Sequence, residues 1–116
     1  MKNDQNSLET DLQFIIESID VIFDYLSGIT QEDFRVNQQL RDACLMRLIV
    51  IGEYTARIPK EFQDSHPEIE WKDVKAARNF YVHAYIQVNW KRTWETIHNY
   101  LPSLRNNLEQ MIKTLE

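Results

Sequence analysis

Apolar residues recur at spacings of three and four near the start of this chain. Leu8, Leu12, Ile15, Ile16, Ile19, Ile22, Phe23 and Leu26 form one stripe, the pattern of a helix that buries a single face. Ser7, with Thr10 nearby, is placed to cap it, and Gly28 is a natural stop. Thr30 or Gln31 opens a short link, and Glu32 and Asp33 favour a new helical turn. A second helix is predicted from about Asn37 to Ile58. Its segment Ala43 to Ile51 is apolar almost all round, so it needs cover on more than one side. Either it is a central core helix touched by several neighbours, or part of its surface meets a second copy of the chain. Arg47 and Glu53 interrupt the apolar surface, as rim charges or as polar groups aimed into a cleft.

Pro59 starts a short helical piece that runs to about Asp64, and Pro67 keeps His66 out of the α conformation. A third main helix is predicted from near Trp71 to about His83, with Glu70 and Asp73 at its positive end. Residues 85 to 88 are β-branched or aromatic in the main and read as a helix end and loop. Asn89 then caps a last helix running from Trp90 towards Leu115, striped by Trp94, Ile97, Leu101, Leu104, Leu108, Met111, Ile112 and Leu115. Pro102 removes a backbone donor and should kink or split this helix near Asn99. With no repeat and no linker, the expectation is an all-α helical bundle of four to five helices, one domain over residues 1–116.

Two glycines and three prolines in 116 residues leave little room for a turn-rich β fold. Cys44 is the single cysteine, which excludes an internal disulfide, and its apolar setting marks it as a small core residue. Met1 to Gln5 show no apolar signal region and no run approaches a membrane span, so a cytoplasmic location is expected. His66, His83 and His98 lack zinc-ligand spacing, and two glycines cannot build a glycine-rich phosphate loop. His66, in a loop before proline, and His98, within the last helix, read as structural; no metal and no cofactor is expected.

Charge changes the picture in one place. The chain has net charge −5, yet between residues 71 and 92 Lys72, Lys75, Arg78, Lys91 and Arg92 stand against Asp73 alone. A basic island in an acidic protein suggests an anionic ligand there. Inside it lies the run Arg78-Asn79-Phe80-Tyr81-Val82-His83-Ala84-Tyr85. Arg78 offers a permanent planar cation suited to phosphate, and His83 can give and take a proton near neutral pH. On one helix the two lie about 140° apart, so a single straight helix does not bring them together. Either the helix loosens near its end, or a second subunit supplies its own copy across a two-fold axis.

The pattern Arg78-x4-His83-x-Tyr85, with Asn79 after the arginine and Val82 before the histidine, resembles the motif of the HepT-like ribonuclease toxins, a branch of the HEPN superfamily. The likeness includes Ile51-Gly52-Glu53, His66 to Trp71, Val88-Asn89 and Trp94-Glu95, and covers roughly residues 8 to 115. It implies an HEPN-type fold, a homodimer and RNA as substrate. Arg78 and His83 would be catalytic and Asn79 supporting. A metal-independent cut would follow: one His83 takes the ribose 2′-hydroxyl proton, the other protonates the leaving 5′-oxygen, and Arg78 holds the scissile phosphate. Tyr85 would be the target of AMP transfer from a partner MntA-like nucleotidyltransferase antitoxin, its phenol lying beside Arg78 and His83. Phe80, Tyr81 and Tyr54 depart from the usual family residues. The rival reading is a non-catalytic helical module that binds a nucleotide or a protein.

Overall fold

The computed structural model describes residues 2–115; Met1 and Glu116, the ends of the expected domain and the start of the segment read as lacking a signal, lie outside them. Every regular element among the described residues is helical. The chain runs α1 (Lys2–Tyr25), α2 (Gln31–Val36), α3 (Gln38–Ala56), α4 (Lys60–Asp64), α5 (Trp71–His83), a 3₁₀ turn (Tyr85–Gln87), α6 (Trp90–Asn99) and α7 (Leu101–Leu115). Among the described residues no helix is long and apolar enough to cross a membrane.

The caps explain most boundaries. Gly28 ends α1 with φ +73°, a conformation glycine adopts without strain. Thr30 and Asp33 form a reciprocal capping box at α2. The Asn37 and Asn89 side chains accept from the amides of Leu40 and Arg92, which fixes the starts of α3 and α6. The first helix begins earlier than expected, because nothing between Lys2 and Ser7 breaks it. Ser7 therefore lies inside α1 and does not cap it, and Thr10 donates back to the Asn6 carbonyl at 2.9 Å. Pro102 divides the last predicted helix in two. It offers no N–H to the His98 carbonyl and its ring crowds that oxygen, so α6 stops at Asn99 and α7 restarts at Leu101. His98 is thus in the last turn of α6, its ring tilted 35° against Trp94 with centroids 4.0 Å apart.

The core is one cluster. Leu12, Ile15, Ile19 and Ile22 of α1 meet Cys44, Leu48 and Ile51 of α3 and Leu104, Leu108 and Met111 of α7. Burial pushes the Cys44 thiol up to about 11, as suits a packing residue. α3 is the central helix, pressed by α1, α2 and α5, and of its large apolar residues only Met46 is strongly exposed. Most of its apolar surface is therefore covered within one protomer, with Met46 left outside. Tyr54 stacks on Phe14 of α1 at 4.4 Å, with the Arg57 guanidinium 4.7 Å above its ring. Tyr54 thus ties α1 to α3.

α5 is built differently. It has no fully buried residue and packs mainly on α3. A crevice stays open between α5 and the pair α6–α7, occupied by two adjoining cavities of about 330 and 340 Å³.

Candidate active site

Arg78 is fixed by its neighbours on α3. Gly52 lies directly beneath it: a Cβ on Gly52 would stand 2.4 Å from the Arg78 Cβ and 2.7 Å from its Cγ. Only a missing side chain lets the two helices approach this closely. The next residue, Glu53, forms an ion pair with Arg78, its Oε1 3.0 Å from Nη1. The Arg78 side chain is only 22% exposed, and its Nε is buried with no partner among the described residues. One guanidinium edge is thus held by a carboxylate, and the stem is clamped against backbone. The Ile51-Gly52-Glu53 block is the seat on which the arginine rests.

His83 is the last residue of α5 and is exposed. The helix does not loosen before it: the Ala84 amide still bonds to the Phe80 carbonyl, at 2.8 Å. The angular gap between Arg78 and His83 therefore persists, and the first of the two ways of joining them is not taken within a protomer. No hydrogen bond or ion pair among the described residues links Arg78, Asn79, His83 and Tyr85 to one another. Asn79 is exposed on the outer face of α5.

Tyr85 opens the 3₁₀ turn, and its hydroxyl donates to Asp42 Oδ1 near the start of α3. That hydrogen bond, with the carboxylate's charge, raises the phenol above its ordinary value. Its ring meets Trp90 edge-on at 6.1 Å, and Arg41 lies 4.9 Å over the same tryptophan. The expected placement of Tyr85 beside Arg78 is corrected here. α3 and α5 run antiparallel, and the anchors Asp42 and Gly52 are ten residues, about 15 Å, apart along α3. Nothing in the sequence pointed to Asp42, which is 43 positions from its partner. The same holds for Gly52 as the seat of Arg78.

Tyr81 is half-buried and packs against the core, which raises its phenol. His66 is held by Glu68 at 3.0 Å and receives the Trp71 indole N–H on its carbonyl at 3.0 Å, a structural role as expected. No group of three His, Cys, Asp or Glu side chains among the described residues is placed to hold a metal ion.

Around His83 the surface is apolar and uncovered. Val82 is 47% exposed, Phe80 44% and Ile86 96%. α5 thus lies on the outside of an all-α bundle and carries an anchored guanidinium and an uncovered imidazole. The chain belongs to the HepT-like ribonuclease family, whose description is "Ribonuclease HepT-like" and whose model matches residues 15–111. It is 33% identical over 102 residues to the "Probable ribonuclease HepT" of Thermococcus cleftensis, covering 88% of this chain and 93% of that one. A protein of Caldanaerobacter subterraneus named "Putative RNase" is 30% identical over 102 residues, covering 88% and 91%. No solved structure matches the chain.

Proposed function

We propose that this ribonuclease acts as the toxin of a toxin–antitoxin pair and cuts RNA internally at a site completed by a second copy of the chain. The observation that carries the reading is the state of α5. It presents Arg78 fixed on the Gly52-Glu53 seat and His83 bare at its end, with the two about 140° apart on the helix. A two-fold axis beside α5 would set one protomer's His83 against the other's Arg78. The uncovered Val82, Ile86 and Met46 are the apolar surface such an interface would remove from water.

In that cleft one His83 accepts the 2′-hydroxyl proton as the 2′-oxygen attacks phosphorus. The second His83 delivers a proton to the departing 5′-oxygen. Arg78 neutralises the phosphorane. Asn79 supports the phosphate or the imidazole. These steps use protein groups alone, and the first product is a 2′,3′-cyclic phosphate. Regulation would follow from AMP transfer by a nucleotidyltransferase antitoxin. The Tyr85 oxygen attacks the α-phosphate of ATP and pyrophosphate leaves. The added nucleotide would stand two residues from His83 and block the RNA path.

The test is RNA cleavage by the pure protein with chemical analysis of the ends, alongside His83→Ala and Arg78→Ala. Cyclic phosphate ends and at least about 10²-fold loss in each variant are expected. Full activity of folded His83→Ala overturns the mechanism. Sedimentation of Ile86→Asp checks the dimer, with monomers expected. Mass analysis after incubation with ATP and the cognate antitoxin checks Tyr85, where one AMP is expected.

A further inference from the structure

The crevice beside α5 holds two chambers. The inner one, about 330 Å³, is lined largely by apolar side chains and brings Arg78 together with Glu70 and Asp73; the neighbouring Asp73 carboxyl raises Glu70. The outer one, about 340 Å³, lies between the C-terminal half of α5 and the start of α6. Its lining includes Phe80, Gln87, Asn89 and Arg92, and no carboxylate.

We infer that the outer chamber is a nucleotide subsite, in which an RNA base stacks on Phe80 and Arg92 takes the adjoining phosphate. The inference rests on RNA being the substrate. Each group is free for the task. Phe80 is 44% exposed, and its one ring neighbour, Tyr81, meets it edge-on at 6.2 Å, which leaves a face open. Arg92 is exposed and has no ion pair among the described residues. The Asn89 oxygen is spent on capping α6, so its amide nitrogen remains to donate, and the exposed Gln87 amide offers both a donor and an acceptor. An open aromatic face, an unpaired guanidinium and two amides form the set that holds single-stranded nucleic acid.

Placement fits the chemistry. On α5, Phe80 lies about 60° from His83 and about 160° from Val82. The subsite thus adjoins the imidazole while facing away from the surface proposed for the second copy. The extended Val88, which follows the 3₁₀ turn, keeps Gln87 and Asn89 at the rim. The subsite acts on where the RNA lies rather than on the proton transfers.

The experiment measures binding of a fluorescein-labelled single-stranded RNA decamer to full-length protein by anisotropy. His83→Ala serves as background so that the RNA survives. Phe80→Ala should weaken binding roughly 10-fold or more, and Phe80→Trp should restore it. Arg92→Gln should weaken binding and lower the salt dependence by about 0.7 in log–log slope. In otherwise active protein, Phe80→Ala should raise KM and move the cut sites while sedimentation still shows the wild-type assembly. Unchanged affinity in Phe80→Ala, or its loss only because the assembly dissociates, overturns the subsite. Failure of the wild-type protein to cut any RNA would instead overturn the catalytic reading and leave the decamer binding as a separate result.

Discussion

Replacing Gly52 by alanine should separate stability from activity. The new Cβ would sit 2.4 Å from the Arg78 Cβ, where ordinary contact begins near 3.4 Å. Both atoms are attached directly to backbone, so neither swings away, and α3 and α5 must part by about 1 Å. Overpacking of this kind costs about 1–3 kcal/mol. Alanine recovers about 1 kcal/mol as the better helix former. The net loss is at most about 2 kcal/mol, and α5 lies outside the core, so the protein should still fold. The guanidinium is less forgiving: its stem rests on this contact and its Nη1 is held by Glu53 at 3.0 Å. A displacement of about 1 Å at a catalytic group can cost on the order of 10²-fold in rate. The assay pairs urea denaturation with kcat/KM on a defined RNA. The expected outcome is a small fall in the unfolding midpoint and a loss of activity near 10²-fold. Wild-type activity in folded Gly52→Ala would refute the idea that this seat positions Arg78.

Other perturbations bear on the rest of the molecule. Ile97 is fully buried where α6 joins the core, so Ile97→Ala should cost about 2–5 kcal/mol and lower Tm by roughly 10 °C or more, read by calorimetry. Cys44 has its thiol raised to about 11 by burial, above the unfolded value near 8.5. Its contribution to stability is therefore complete below the unfolded value and is lost as pH rises through the folded one. Between about pH 8.5 and 11, Cys44→Ala should narrow its stability gap to the wild type, measured by denaturation across that range. Asp42 raises the Tyr85 phenol through their hydrogen bond. Asp42→Asn should lower that phenol towards its ordinary value, so ultraviolet titration should show one tyrosine ionising earlier.

The elements were legible in the sequence because local physics sets them. The α1 stripe, the Asn37 and Asn89 caps, the Gly28 stop and the break at Pro102 each depend on neighbours within a turn or two. Their outcomes match except at the ends, where α1 runs back past Ser7 to Lys2. Arg78, His83 and Tyr85 were legible as a motif because their spacing is a property of the chain itself.

Partners across space were not legible. Gly52 beneath Arg78, Asp42 holding Tyr85, and Phe80 facing α6 follow from how α5 crosses α3 and stands off from α6–α7. Sequence alone therefore determined an all-α chain carrying a ribonuclease motif on one helix. Tertiary packing decided that α3 buries most of its apolar surface inside the protomer, that Tyr85 and Arg78 are anchored about 15 Å apart along it, and that α5 remains on the outside. Hydrogen bonds and side-chain stripes within a helix are encoded over a few residues, whereas the approach of two helices depends on all the surfaces they bury together.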